Sequence, residues 1–178
     1  MIGLAIIGGL IGLIILSWVI WFFATFTTFS SPKDGLQILH PRNWVVRAHP
    51  NKDVVVAFVS PKETALDPFL ENYNFSKYDM AKEPELQSTD AYADKIVQQM
   101  AATFNDLKLV QKSVFPVAGK KGYKMVFRAT SKVQLLIVLY VFTIEDMGYN
   151  MLYLGAFDRF SKDSPMLDLV ALTMKVKY

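Results

Sequence analysis

The chain has 178 residues, 52% of them hydrophobic, and a formal net charge of +3. Apart from Lys120, Lys121 and Lys124 around a turn at Gly122, its cations are scattered singly beside carboxylates, which argues against nucleic acid as a partner; the lack of cysteine excludes disulfides, thiolate nucleophiles, thiolate metal sites and lipid attachment at a cysteine. The length suits one domain plus an appendage.

The appendage comes first, since no charged side chain occurs before Lys33. Leu4 to Phe26 is apolar and long enough to cross a hydrocarbon core of about 30 Å, which takes about 20 residues at a rise of 1.5 Å. A secretory signal would carry a basic n-region and a shorter apolar run. The expectation is therefore a retained single-pass transmembrane helix, with residues 1–31 as the anchor and 32–178 as a soluble domain. Gly8 and Gly12 form a G-x-x-x-G step, which in lipid lets another helix approach closely. Glycine is also simply common in membrane helices. Trp18, Trp21 and Phe22 crowd the C-terminal end, as an aromatic belt does at a membrane interface, where lipid contacts are expected. Lys33, Arg42, Arg47 and Lys52 follow the helix with no cation before it. That bias places the soluble domain on the positive-inside, cytoplasmic face.

Beyond the anchor, Leu36 to Leu39 suits a strand, broken at Pro41 and Asn43 before Trp44. The valine-rich run from Asp53 is a second strand, expected to pair with the first. From Pro61 to Gln87 the periodicity is lost and three prolines interrupt, leaving either a short strand or a loop ordered by a partner. Phe69, Tyr73, Phe75 and Tyr78 lie in this segment. As exposed loop aromatics they would anchor an interface; the alternative is that they cover the domain's own sheet. Ser88 or Thr89 caps a helix running toward Leu107, with Tyr92, Ile96, Met100 and Phe104 on one face. Antiparallel strands follow from Leu107, Gly122, Val133 and Tyr149, with turns at Gly119 to Gly122 and Glu145 to Gly148. The run Gln134 to Phe142 is too short to cross a membrane and reads as a central buried strand. A helix from about Ser164 and an extended piece, Met174 to Tyr178, close the pattern.

Pro41 and Trp44 after the first strand, the segment "FPVAGKKGYKMVF" and the ending "LTMKV" together resemble the PsbP-like fold. That fold is shared by the extrinsic PsbP proteins of photosystem II, a Ran-binding nuclear import factor, DcrB-type envelope proteins and the Eag chaperones of type VI secretion. The resemblance covers residues 34 to 178, with Thr173 and Met174 replacing the family's Ser-Phe. It implies an α+β protein: a PsbP-like α/β sandwich whose mostly antiparallel sheet is flanked by helices. It also implies a binding module rather than an enzyme, one that docks on membrane complexes or hydrophobic client segments.

No catalytic or metal-binding motif stands against that implication. His40 and His49 share no ligand spacing. Asp67 with Glu71, and Glu83 with Glu85, are close carboxylates in a polar stretch, where solvated loop charges are the simpler account. No cofactor is expected. The resulting expectation is a non-catalytic accessory or assembly subunit of a membrane complex, photosynthetic or otherwise bioenergetic, partnered by other integral membrane subunits. The rival readings are a lipid- or small-ligand-binding protein using the sheet face under the Thr89 helix, and a chaperone for hydrophobic segments.

Overall fold

A computed structural model describes residues 2–47, 51–62, 69–104, 106–131 and 133–177, excepting the side chains of 2–12 and 159–162. The chain runs α1 (Ile2–Thr25), β1 (Phe26–Ser31), β2 (Leu36–Pro41), β3 (Val45–Arg47), β4 (Val54–Val59), β5 (Asn72–Asp79), α2 (Thr89–Thr103), β6 (Lys108–Val117), β7 (Lys120–Thr130), β8 (Gln134–Ile144), β9 (Met147–Ala156), α3 (Phe160–Thr173) and β10 (Lys175–Val176). Seven strands form one sheet in the order β3-β4-β5-β9-β8-β7-β6, and β1-β2-β10 form a second. All the pairings are antiparallel.

Strand β8 shows how the sequence builds the layers. Its alternate residues Leu136, Val138, Tyr140, Phe142 and Ile144 join one core, with Leu36 and Ile38 of β2 and Leu167, Val170 and Ala171 of α3. The intervening Leu135, Ile137, Leu139 and Val141 join the other, with Tyr92, Ala93 and Met100 of α2. A strand buried on both faces has no polar side to present, hence its continuous apolar run. The result is a three-layer arrangement: α2, the large sheet, then the small sheet beside α3.

Ser88 caps α2, its Oγ accepting from the Ala91 amide at 3.1 Å. The helix stops at Thr103, before the Leu107 that its periodicity suggested. Both hairpin turns are tighter than expected. They use Ala118-Gly119 and Glu145-Asp146, so Lys120 and Met147 already lie in strands.

Other expectations need correcting. β2 and β4 do not pair: β2 lies between β1 and β10, whereas β4 lies between β3 and β5. They meet instead across the layers, where the ring of His40 stacks on that of Phe58 with centroids 4.7 Å apart. The segment from Pro61 to Gln87 contains β5, paired along its length with β9. α3 begins at Phe160, a full turn before Ser164. Phe26 is not part of the N-terminal helix. It starts β1, whose pairing with β2 brings residues 26–31 into the folded domain rather than the anchor. Among the described residues no helix is long and apolar enough to cross a membrane. In α1 the described side chains begin at Leu13, and the stretch from there to Thr25 is shorter than the roughly 20 residues a crossing takes.

Candidate functional site

Two concave features stand out. The larger, about 700 Å³, lies where the end of α1 meets the turn after β2 and the outer face of α3. Its geometry begins with Arg42. The last carbonyls of a helix lack intrahelical donors. At α1, the Arg42 amide donates to the Thr25 carbonyl at 2.8 Å, and its guanidinium donates to the carbonyls of Phe23 at 2.8 Å and Phe26 at 3.3 Å. A cation at that end also complements the helix dipole. With β1 starting at the next residue, α1 enters the domain without a linker.

The groove is lined by Trp18, Trp21, Trp44, Glu71, Asp163 and Asp168, among others. Trp44 packs on Tyr73 with centroids 5.5 Å apart. Glu71 is buried and accepts a hydrogen bond from Ser60 Oγ at 3.0 Å. Asp163 accepts from Tyr153 Oη at 2.6 Å. Asp168 receives both Lys124 Nζ at 2.6 Å and Tyr140 Oη at 2.5 Å. Burial, and after it the Asp168 carboxylate, push the Tyr140 phenol far up, so it stays a neutral donor. The same burial raises Tyr73, whose hydroxyl donates to the Leu39 carbonyl at 2.7 Å and ties the small sheet to the large one.

The second feature, about 490 Å³, lies beside α2, over β4, β5 and β9. Here the sheet turns polar side chains toward the helix: Asn74, Ser76 and Asn150, with Ile96 and Met100 of α2 forming the wall. Asn150 is buried and donates to Tyr92 Oη at 2.8 Å. The burial of Tyr92 pushes its phenol up to about 12.

The aromatic residues proposed from sequence as partner contacts divide sharply. Tyr73 and Phe75 are fully buried on β5 and form part of the sheet core, as alternate residues on a paired strand must. Phe69 and Tyr78 are half-buried and pack on the α2-side core. Tyr78 also shares Lys95 with Glu83, Lys95 Nζ lying 2.8 Å from the phenol and 2.6 Å from the carboxylate. The hydrogen bonds that Glu83 accepts, from Lys95 first and then from the Tyr78 hydroxyl, hold it below its ordinary range. Trp18 and Trp21 are exposed, and half-buried Phe22 packs on Phe26 with centroids 5.4 Å apart. Gly8 and Gly12 lie in the part of α1 whose side-chain surroundings fall outside the described residues, as do His49 and Asp67.

His40 is buried, with Nδ1 2.9 Å from the Pro41 carbonyl. Among the described residues no three His, Asp or Glu side chains gather as they would around a metal ion. Sequence reasoning counted Arg42 only among the cations flanking the helix and missed its place at the helix end, where its partners are backbone carbonyls that leave no trace in side-chain pattern. Lys124 did leave a signal. It falls on the same strand face as Val126, a core position, and a cation there needs a partner.

No family model matches the chain, and no curated protein does. Among solved structures, the cyanobacterial PsbP (CyanoP) of Synechocystis sp. PCC 6803 superposes with a TM-score of 0.66 at 18% identity, covering 86% of this chain and 94% of that one. The Ran-binding protein Mog1p of Saccharomyces cerevisiae gives 0.60 at 6% identity, covering 86% and 96%. LpqN of Mycobacterium tuberculosis, described as involved in cell envelope biogenesis, gives 0.56 at 10% identity, covering 86% and 91%. Identities this low carry architecture and not activity. What the chain shares with these proteins is the α+β PsbP-like fold.

Proposed function

We propose that this protein is a non-catalytic accessory or assembly subunit of a larger membrane protein complex, with α1 as its single membrane crossing and the PsbP-like domain docking at the surface. One observation carries the reading: α1 joins β1 directly and its end is held by Arg42, so a partner that binds the helix also sets the orientation of the domain. What supports the crossing is the composition of the whole helix. It has 24 residues, about 36 Å at 1.5 Å each, without a charged side chain. Gly8 and Gly12 would supply the contact with neighbouring membrane helices. The cation bias after the helix favours the domain on the positive-inside face, although Arg42 is already engaged at the helix end.

The test is extraction in mild detergent followed by native gel analysis. The protein should migrate in a large assembly, and Gly8→Leu with Gly12→Leu should release it. Migration of the unaltered protein as a lone monomer would sink the reading.

A second reading, a small-ligand-binding protein, is favoured by the polar-floored cleft of about 490 Å³ beside α2, a size ordinary for ligand sites. A small molecule that copurifies and is lost on Asn150→Leu would support it.

A further inference from the structure

The groove at the end of α1 collects all three tryptophans of the chain, Trp18, Trp21 and Trp44. Core packing accounts for only part of this. Trp44 leans on Tyr73, but Trp18 and Trp21 are 60% and 52% exposed, with ring centroids 5.9 Å apart. Three residues apart on a helix, they share one face. Opposite them lie carboxylates. Glu71 is only 6% exposed, bonded to Ser60 and to no cation among the described residues. Asp163 is held by Tyr153. Lys62, exposed, is the one cation among the described lining residues. From Trp18 and Trp21 an open, almost wholly apolar face of α1 continues past Ser17 to Leu13 and Ile14.

Indole faces attract cations, quaternary ammonium groups above all, and carboxylates behind them add a negative potential. The cavity is large enough for a headgroup, and the apolar face of α1 beside it offers a surface for a chain to lie along. We propose that this groove binds a choline phospholipid, with the trimethylammonium group among Trp18, Trp21 and Trp44 and facing Glu71 and Asp163. The phosphate sits toward Lys62 and an acyl chain lies along α1. The proposal rests on the reading of α1 as a membrane helix.

The full chain, held in a sugar-headgroup detergent, is titrated with short-chain phosphatidylcholine below its micelle-forming concentration, and tryptophan fluorescence is followed. Saturable binding is expected, at least about tenfold tighter than for phosphatidylglycerol with the same chains. Trp21→Leu keeps the apolar surface but removes the π face. It should weaken phosphatidylcholine about fivefold to tenfold and leave phosphatidylglycerol unchanged, and Glu71→Gln should act in the same direction. Because Trp21 is exposed, its replacement tests the site even if Glu71→Gln disturbs folding. Equal affinity for the two lipids, an unaltered affinity in Trp21→Leu, or phosphocholine binding as tightly as the intact lipid would each overturn the proposal. Flotation with phosphatidylglycerol vesicles separates the two levels of the argument. A chain that floats but shows no headgroup preference retires the lipid site alone, and a chain that does not float retires the membrane reading beneath it.

Discussion

Arg42 Nη2 donates to the Phe23 carbonyl oxygen at 2.8 Å, joining a residue of the first turn after β2 to the last turn of α1. Arg42→Ala should remove this bond and its companion to Phe26, at about 1–2 kcal/mol for charge-assisted bonds in a partly exposed setting. The loss is local, so hydrogen exchange should quicken in residues 23–26 while the amides of β8 stay protected. Arg42→Lys, without the planar fork, should recover only part of the protection.

Gly148 lies under the ring of Tyr92. A Cβ built on it would come 2.6 Å from Tyr92 Cζ and within 2.8 Å of two more ring atoms. Since the ring is also held by Asn150 and cannot swing away freely, Gly148→Ala should destabilise the domain by about 2–3 kcal/mol, read as a lower midpoint in urea. Combining it with Tyr92→Ala should cost less than the sum of the two single changes, the mark of a direct clash.

His40 titrates below its ordinary range because burial disfavours the imidazolium, more than the Pro41 carbonyl favours it. The unfolded chain then binds more protons than the folded one just below the unperturbed value of about 6.5, so stability rises with pH through that window and is fully present above it. Urea unfolding at several values between pH 5 and pH 8 should show the slope in the unaltered protein. The difference from His40→Phe isolates this residue's share. A slope undiminished in that variant would assign the effect elsewhere.

Lys124, Asp168 and Tyr140 meet at the flank of α3 beside the groove, with Lys124 mostly buried at 11% side-chain exposure. Lys124→Ala leaves a carboxylate facing a buried tyrosine and should cost about 3 kcal/mol, whereas the paired change Lys124→Met with Asp168→Leu should cost markedly less. Thermal unfolding of the two variants beside the unaltered protein checks the order.

What could be read directly was whatever a single segment decides for itself. The run in β8 announces a strand buried on both faces, and Ser88 with the fourfold spacing after it announces α2. β5 was obscured: Tyr73 and Phe75 alternate with Asn72, Asn74 and Ser76, a period-two pattern, but Pro61, Pro68 and Pro84 around it resemble a loop. The pairing of β2 was misplaced because adjacent strands usually pair, whereas here the chain changes layer between them. The groove itself was not legible. Its walls come from α1, the turn after β2, the segment after β4, and α3, and only the assembled fold brings them together.

The pairing of β10 with β2 has a consequence for synthesis on the ribosome. Leu36 and Ile38 are buried against α3, and β2 gains its second strand partner only from Lys175 and Val176. An emerging chain would therefore carry the β1–β2 hairpin half-covered while nearly all of the large sheet is being made. That interval is when a targeting factor or holding chaperone would find an uncovered apolar surface, and it ends only when α3 settles and β10 closes the small sheet.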